Sequence, residues 1–210
     1  MTHFHARLPR LLTACLALVC LASALPAAVL YENGQVKSSI VIPDDATPPV
    51  RHAANELARW LREATGRTWP IGPAPHEGMI PIYLGDSEFA RQNGFDRDSL
   101  KSDGYYLKST ADFLLIAGRD YPGGPLGGAI QPATDEFTWS PELNLCAFGE
   151  MGTFNGVERF LEKHLGIRWY MTGYAGTVVP PCSALVLPDM EMTDAPDFEY
   201  RYAFFCNFRD

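Results

Sequence analysis

The pattern of apolar and polar positions predicts an amphipathic helix between Thr47 and Gly66. Its apolar positions recur at spacings of four and three residues, which places them on one buried stripe; they are Val50, Ala54, Leu57, Leu61 and Ala64. Thr47 is a residue type that caps helices, and the two prolines after it suit a first helical turn. Gly66 is a residue type that ends helices.

A second helix is predicted over residues 154–165. Thr153 is its expected cap and Gly166 its expected end. The apolar positions at helical spacing, which we expect to be buried, are Phe154, Val157, Leu161 and Leu165. His164 falls in the last turn, where a positive charge interacts favourably with the helix dipole, so we expect it to have a structural role.

Short apolar runs around these helices predict strands. The ranges are 29–31, 38–42, 80–84, 103–110, 113–117, 167–170, 177–179 and 185–187. Turns are expected at Asn33-Gly34 and at Ala111-Asp112, and residues 121–149, which show no periodicity, are expected to form a loop. Strands that alternate with two helices predict an α/β or α+β sandwich, in which the helices cover a mixed β-sheet.

The first 24 residues predict a cleaved secretory signal peptide. Arg7 and Arg10 precede an apolar run over 11–21, and the small residues at 22–24 fit a cleavage site. We therefore expect a secreted or periplasmic protein that has no membrane association once the signal is removed. The letters around Cys15 are typical of a lipoprotein signal, but the apolar run follows this cysteine instead of preceding it, which argues against lipidation.

Composition narrows the possible classes of protein. The chain has 210 residues, and its 17 basic and 25 acidic residues give a net charge of −8 without a basic stripe, so nucleic acid is not an expected partner. A complete (β/α)8 barrel beside another domain is excluded, because the barrel alone takes about 250 residues. Once the signal is removed, an odd number of cysteines remains, for which we favour free thiols over a disulfide: Cys146, Cys182 and Cys206.

No group of residues predicts a catalytic centre, a metal site or a cofactor site. The glycine-rich stretch 123–128 is not followed by a helix, which a dinucleotide loop requires. Asp135 and Glu136 form an acid pair, but their place in the irregular loop favours solvated charges over a glycosidase pair. None of the histidines left after signal removal stands at a metal-ligand spacing; they are His52, His76 and His164.

Four aromatic residues on the predicted strands have two possible interpretations. They are Tyr105, Tyr106, Trp169 and Tyr170. Together they could form a face on which sugar rings stack, or they could belong to the core and to an interface. Because they are clustered on strands, we favour the second interpretation.

Two stretches of the sequence resemble a known domain. They are DGYYLKSTADFLLIAGRD at 103–120 and GTFNGVERFLEKHLGIRWY at 152–170, preceded by the helix pattern AANELARWLREATG at 53–66. Their order resembles the N-terminal domain that precedes the catalytic barrel in bacterial β-hexosaminidases of glycoside hydrolase family 20. It is also similar to the corresponding domain of family 67 α-glucuronidases and of related uncharacterised secreted glycosidase-like proteins. The match extends over nearly all of residues 29–188.

The resemblance implies an α+β fold, in which two main helices pack on one face of a mixed β-sheet. It also implies that residues 29–194 form a non-catalytic accessory domain, whose partners are the protein's own C-terminal catalytic barrel and a glycan substrate. It further implies that residues 195–210 are a linker and the first barrel strand, with the rest of the barrel outside this chain. We therefore expect the chain alone to be inactive. Arg209 stands where hexosaminidases often place a sugar-binding arginine, whereas Cys206 and Tyr202 stand where that family has Asp and Gly.

Two alternatives remain open. In the first, the chain is a complete non-enzymatic carbohydrate- or cell-wall-binding module that uses the loop 121–149, with Phe137 and Trp139 as the stacking platform. In the second, it serves only as a packing or dimer surface. The exposed apolar side chains would then be Tyr202, Phe204, Phe205 and Phe208.

Overall fold

The computed structural model describes residues 27–124, 139–146, 148–171 and 173–198. The strands in these ranges are β1 (Ala27–Glu32), β2 (Gln35–Val36), β3 (Ser38–Val41), β4 (Ile71–Gly72), β5 (Ile80–Leu84), β6 (Tyr105–Ser109), β7 (Leu114–Gly118), β8 (Trp139–Ser140), β9 (Leu145–Cys146), β10 (Arg168–Trp169), β11 (Thr177–Val178), β12 (Ala184–Pro188) and β13 (Met190–Asp194). The helices are α1 (Pro48–Thr65), α2 (Glu88–Gln92) and α3 (Gly152–Phe160), and α3 continues into a π-helical turn, Leu161–Leu165.

The central element is a six-stranded sheet in the order β13-β6-β7-β5-β3-β4. Strands β4, β3, β5 and β7 run parallel to one another, whereas β6 is antiparallel to both of its neighbours. A smaller sheet in the order β12-β1-β2 contributes to the same core. The mixed α+β architecture predicted from the sequence is confirmed. The predicted first barrel strand falls on residues outside the described ranges.

The two faces of the central sheet are covered differently. Leu114 and Ile116 of β7 belong to the main core, which also contains the apolar faces of α1 and α3. Leu115 and Ala117, which alternate with them, pack on the other side of the sheet with Phe95 near α2. Both long helices therefore lie against one face of the sheet, and they also contact each other.

Helix α1 follows the predicted stripe closely. All five predicted positions are buried, together with Ala53 and Trp60. Gly66 ends the helix with φ 69°, and its amide donates to the Arg62 carbonyl at 2.8 Å. Thr47 occupies the predicted cap position, but its side chain makes no capping bond, and its buried hydroxyl has no partner among the described residues. The predicted cap position is therefore confirmed, although the threonine hydroxyl does not contribute to it.

The start of α3 also differs from the prediction. Met151, not Thr153, occupies the cap position, and Thr153 lies inside the helix with its side chain buried. Gly166 ends the π-helical turn as predicted, with φ 71°. The His164 ring packs on Phe160, with 5.2 Å between ring centroids, and burial lowers the pKa of His164. Its role is structural, as expected, but it acts as a packed ring whose charged form is disfavoured.

Both predicted hairpin turns are present. Asn33 and Gly34 have positive φ, as a tight hairpin turn requires, and join β1 to β2. Strands β6 and β7 pair antiparallel across the second turn. Several elements were not predicted, namely the short helix α2, the two-residue strands β2 and β4, the β8–β9 pair inside the expected loop, and β13. Strand β13 has mostly polar residues, and its place is determined by pairing with β6 along the sheet edge.

Candidate functional site

The motif segments of the resemblance meet at one point, where β7 ends and α3 begins. The Gly152 amide donates to the Arg119 carbonyl at 2.8 Å, and the Arg119 amide donates to the Gly104 carbonyl at 2.9 Å. These two bonds join the Asp-Gly-Tyr, Gly-Arg-Asp and Gly-Thr segments. We call this arrangement, with the residues described in the next three paragraphs, the motif junction.

Asp120 anchors the first turn of α3 from outside the helix. Its carboxylate accepts a bond from the Thr153 amide at 2.9 Å and one from the Thr153 hydroxyl at 2.5 Å. The same hydroxyl accepts a bond from the Gly118 amide at 2.9 Å. Burial raises the pKa of Asp120 to about 6, although the bonds from Thr153 favour the charged carboxylate. Asp120 thus replaces the local cap that α3 lacks.

Asp103 holds the other side of the helix start. Its side-chain oxygen accepts a bond from the Met151 amide at 2.7 Å, and its carbonyl accepts one from the Asn155 side chain at 3.0 Å. The residue has φ 57°, a left-handed conformation that aspartate tolerates better than most side chains. Two aspartates from different segments therefore accept bonds from the Met151 and Thr153 amides, on either side of Gly152.

Glycines are required at the junction because the backbones almost touch. A Cβ atom on Gly118 would lie 2.2 Å from the Gly152 carbonyl carbon, and one on Gly152 would lie 2.2 Å from the Gly104 carbonyl oxygen. One turn further along α3, a Cβ on Gly156 would lie 2.6 Å from the Ile116 side chain. At these positions helix α3 therefore lies so close to the sheet that only glycine fits without a shift of the neighbouring atoms.

A cavity of about 260 Å³ lies beside the junction, at the carboxyl ends of β3, β5 and β7. This is the edge at which parallel sheets commonly bind ligands. Two of the carboxylates that line it are engaged within the fold, since Asp86 forms two bonds with Arg91 at 2.8 and 3.0 Å and Asp120 binds Thr153. A third, Asp45, is exposed. The bonds of Asp86 and Asp120 therefore stabilise the fold.

A second surface lies along helices α1 and α3. Two cavities of about 440 and 490 Å³ share Glu158, Trp169 and Tyr170 as a common wall. We call these two cavities together the α1–α3 groove. The larger is also lined by residues of α1, whereas the smaller is also lined by Ala195 and Pro196, which follow β13.

Charged side chains in the groove are unevenly paired. Arg59 binds Glu56 at 3.3 Å, and Arg159 binds Glu162 at 2.8 Å. Within the described ranges, the half-buried Glu158 carboxylate has neither a hydrogen bond nor an ion pair. The pKa of Glu158 is raised to about 7. Burial is the main cause, and repulsion from Glu56 and Glu162 adds to it.

The four aromatic residues do not form one sugar-stacking face. Tyr105 and Tyr106 are buried on opposite sides of β6, and their hydroxyls donate to Asp194 at 3.2 Å and Glu191 at 2.8 Å. Trp169 packs edge-on against Trp60. The core interpretation is therefore confirmed for the two buried tyrosines. Tyr170, by contrast, is 75% exposed at the groove.

Several predicted residues lie outside the described ranges. They are Asp135, Glu136, Phe137, Tyr202, Phe204, Phe205, Cys206, Phe208 and Arg209. Cys146 and Cys182 are free thiols, as favoured. His52 stacks on Phe154 with 5.0 Å between ring centroids, and burial lowers the pKa of His52.

The described residues contain no group of three or more His, Cys, Asp or Glu side chains arranged to hold a metal ion. None of the described helices combines the length and the apolarity of a membrane span.

This chain is similar to several proteins of known structure. No family model and no curated protein matches the sequence. A family GH115 4-O-methyl-α-glucuronidase with specificity for decorated arabinogalactans is 17% identical with a TM-score of 0.47, and the match covers 82% of this chain and 19% of that chain. The family GH20 β-N-acetylhexosaminidase from Streptomyces coelicolor A3(2) is 15% identical with a TM-score of 0.45, and the match covers 82% of this chain and 24% of that chain.

A β-hexosaminidase mutant from Streptomyces plicatus is 16% identical with a TM-score of 0.44, covering 83% of this chain and 24% of that chain. This chain thus spans about a fifth to a quarter of the length of the glycosidases it is similar to. Since every one of these TM-scores is below 0.5, we base the proposed function on the motif junction and not on these matches.

Proposed function

We propose that residues 29–194 form the non-catalytic N-terminal accessory domain of a secreted glycoside-hydrolase-like protein that acts on a polysaccharide or glycan. The observation that carries this proposal is the motif junction. Asp103, Asp120 and Thr153, which stand in the motifs of the resemblance, are the residues that join α3 to the sheet. The resemblance therefore concerns a set of side chains that interact, which is stronger support than a shared helix pattern.

The chemistry of the junction supports a non-catalytic role. A carboxyl group that transfers protons must reach a substrate, whereas Asp120 is engaged with an amide and a hydroxyl of its own chain. The accessory domain would supply a packing surface, and the reacting carboxylates would come from the strand ends of a barrel.

The proposal extends to the residues after β13. Residues 195–210 would be the linker and the first strand of the catalytic barrel, and Arg209, near the end of that strand, would contact the sugar. Residues 1–24 would direct secretion and be removed. N-terminal sequencing of the secreted protein tests this last part, and we expect the mature chain to begin at residue 25.

Two tests address the proposed function, one on the coding sequence and one on the activity of the longer protein. We expect the reading frame to continue beyond Asp210 into a barrel whose strand ends carry an acid pair. We also expect the longer protein, but not the 210-residue chain, to hydrolyse chromogenic glycosides such as N-acetylglucosaminides and glucuronides. A stop codon directly after Asp210, or turnover by the 210-residue chain, would contradict the proposal.

The carbohydrate-binding module is the second candidate function, and the exposed ring of Tyr170 is the observation in its favour. Titration calorimetry of the 210-residue chain against a panel of polysaccharides separates it from the first. Binding that persists in Tyr170→Ala and is lost in Trp139→Ala would favour the originally predicted platform in the loop. Binding to none of the glycans would exclude the module.

A further inference from the structure

The exposed ring of Tyr170 is carried by an ordered hairpin at the α1–α3 groove. The Tyr170 amide donates to the Gly176 carbonyl at 2.8 Å, which continues the pairing of β10 with β11. Tyr170 is nevertheless 75% exposed, and the next residue, Met171, is 66% exposed. A large ring on an ordered backbone loses little conformational freedom when a ligand covers it, which favours binding at this place.

Trp169 extends this aromatic surface into the groove. It lines both cavities and packs edge-on against Trp60, with 5.6 Å between the ring centroids. Trp60 is 4% exposed, and the Arg59 guanidinium lies 4.5 Å from the centre of its ring. The partly exposed Trp169 therefore rests on a buried side chain, and with Tyr170 it forms the aromatic part of the wall that both cavities share.

The cations of the groove are already paired. Each of the three arginines that line it forms an ion pair with a glutamate of the groove: Arg59 with Glu56 at 3.3 Å, Arg159 with Glu162 at 2.8 Å, and Arg168 with Glu162 at 3.7 Å. Glu158, in the wall shared by both cavities, has neither a hydrogen bond nor an ion pair within the described ranges. An acidic ligand would therefore meet no unpaired arginine of the described groove and would be repelled by the Glu158 carboxylate.

The arrangement fits an uncharged ligand that has an apolar face and hydroxyl groups at its edges. A sugar ring has both, because its C–H groups stack on an aromatic ring while its hydroxyls form hydrogen bonds around it. The hydroxyls can donate to the Glu158 carboxylate and can replace water at the ion pairs of the groove. A protein partner would instead remove these ion pairs from water, which is costly.

We propose that the α1–α3 groove binds a neutral oligosaccharide, whose rings stack on Tyr170 and Trp169 and whose hydroxyls donate to the Glu158 carboxylate. The two cavities, of about 440 and 490 Å³, are each large enough for a small ligand. Because they share a wall, the occupant extends along both and contains more than one sugar ring. The proposal goes beyond the accessory role, since it gives the domain an affinity for glycan that does not depend on the barrel.

Titration calorimetry of the 210-residue chain tests the class of ligand. The probes are oligosaccharides of matched length: the cello-, xylo-, manno- and galacto-series are neutral, and oligogalacturonides are acidic. We expect at least one neutral series to bind, and the acidic series to bind about ten-fold more weakly than that series. Binding to no neutral series, or tightest binding to the acidic series, overturns the proposal.

Variants of the groove locate the site with the neutral probe that binds. Tyr170→Ala should weaken its binding about ten-fold, whereas Tyr170→Phe, which retains the ring, should stay within about two-fold of the unsubstituted chain. Glu158→Gln loses the charge that strengthens its hydrogen bonds and should weaken binding about five-fold. The matched controls are Phe148→Ala and Glu63→Gln, at exposed positions that line neither cavity, and they should leave the affinity unchanged. Unchanged binding in Tyr170→Ala, or an equal loss in the controls, overturns the proposal.

Sedimentation velocity distinguishes a sugar site from a contact between two copies of the chain. We expect the unsubstituted chain and Tyr170→Ala to sediment alike, because the groove binds a glycan and not a second copy. A dimer that dissociates in Tyr170→Ala would make the groove a protein interface and overturn the proposal.

These outcomes are distinguishable from failure of the proposed function. The titrations and the sedimentation are measured on the 210-residue chain, with no barrel present. A reading frame that ends at Asp210 would contradict the proposed function and leave the affinity of the groove for the neutral probe unchanged. A chain that binds no glycan would contradict the groove site and leave the hydrolytic activity of the longer protein unaffected.

Discussion

The Asp120 carboxylate binds both the amide and the hydroxyl of Thr153, 33 residues away in the sequence, at 2.9 and 2.5 Å. Helix α3 therefore receives its N-terminal cap from the end of a sheet strand. The bond ties the helix start to the sheet at the place where the backbones are closest. Loss of this contact should affect the fold as a whole and not only the end of one helix.

We expect Asp120→Ala to lower the free energy of unfolding by about 2–4 kcal/mol, because it leaves an amide and a buried hydroxyl without their acceptor. Asp120→Asn keeps one carbonyl acceptor and should cost less. Urea unfolding measures both. Asp112→Ala, at the exposed turn between β6 and β7, is the control and should be close to neutral. Equal stability of Asp120→Ala and the control would contradict the anchoring role.

Thr153→Val tests the hydroxyl with little change in shape. The Gly118 amide loses its acceptor and Asp120 loses a donor, so we expect a loss of about 2–3 kcal/mol. Thr153→Ser retains the hydroxyl and should recover most of that loss. If valine and serine give the same urea midpoint, the hydroxyl does not contribute.

The substitution Gly156→Ala shows whether helix propensity or close packing dominates at this position, because the two change the stability of the protein in opposite directions. In a free helix alanine is favoured over glycine by about 1 kcal/mol. Here the new Cβ would lie 2.6 Å from Ile116 and 3.1 Å from the Tyr105 ring, so we expect destabilisation by about 1–3 kcal/mol. Thermal unfolding gives the sign, and a raised midpoint would show that α3 can move away from the sheet.

The pH dependence of stability follows from two carboxyl groups. Burial raises the pKa of Asp120 to about 6 and that of Glu158 to about 7, both above their values in the unfolded chain. Between about pH 4 and pH 7 the folded state therefore binds more protons at these sites, and their contribution to the free energy of unfolding falls as pH rises.

We expect this slope to be weaker in Glu158→Gln, most clearly between pH 5 and 7, when unfolding is measured across the range. Glu63→Gln, at an exposed position on the same helix as Glu56, is the control and should keep the slope of the unsubstituted chain. A slope that is the same in all three proteins would show that Glu158 does not contribute to it.

The predictable part of the fold was local. The stripe of α1, the Asn33-Gly34 turn and the β6–β7 hairpin depend on residues a few positions apart, and all are present. Strand β13, Met190–Asp194, was missed because its apolar alternation is limited to two methionines among polar residues, and pairing with the edge of β6 makes these residues a strand. Thr153 was misassigned because its sequence position is typical of a local cap.

For this protein, the order of residues by itself determined where the two long helices and the two hairpin turns form and which segments carry the motifs. Periodicity and turn chemistry act over a few residues, so a sequence displays them directly. The tertiary structure alone decided that Asp103, Asp120 and Thr153 meet, that Tyr105 and Tyr106 are buried on opposite faces, and that Glu158 lies in the groove without a described partner. These relationships join residues far apart in the chain, and they arise only when α3 packs on the sheet through Gly118, Gly152 and Gly156.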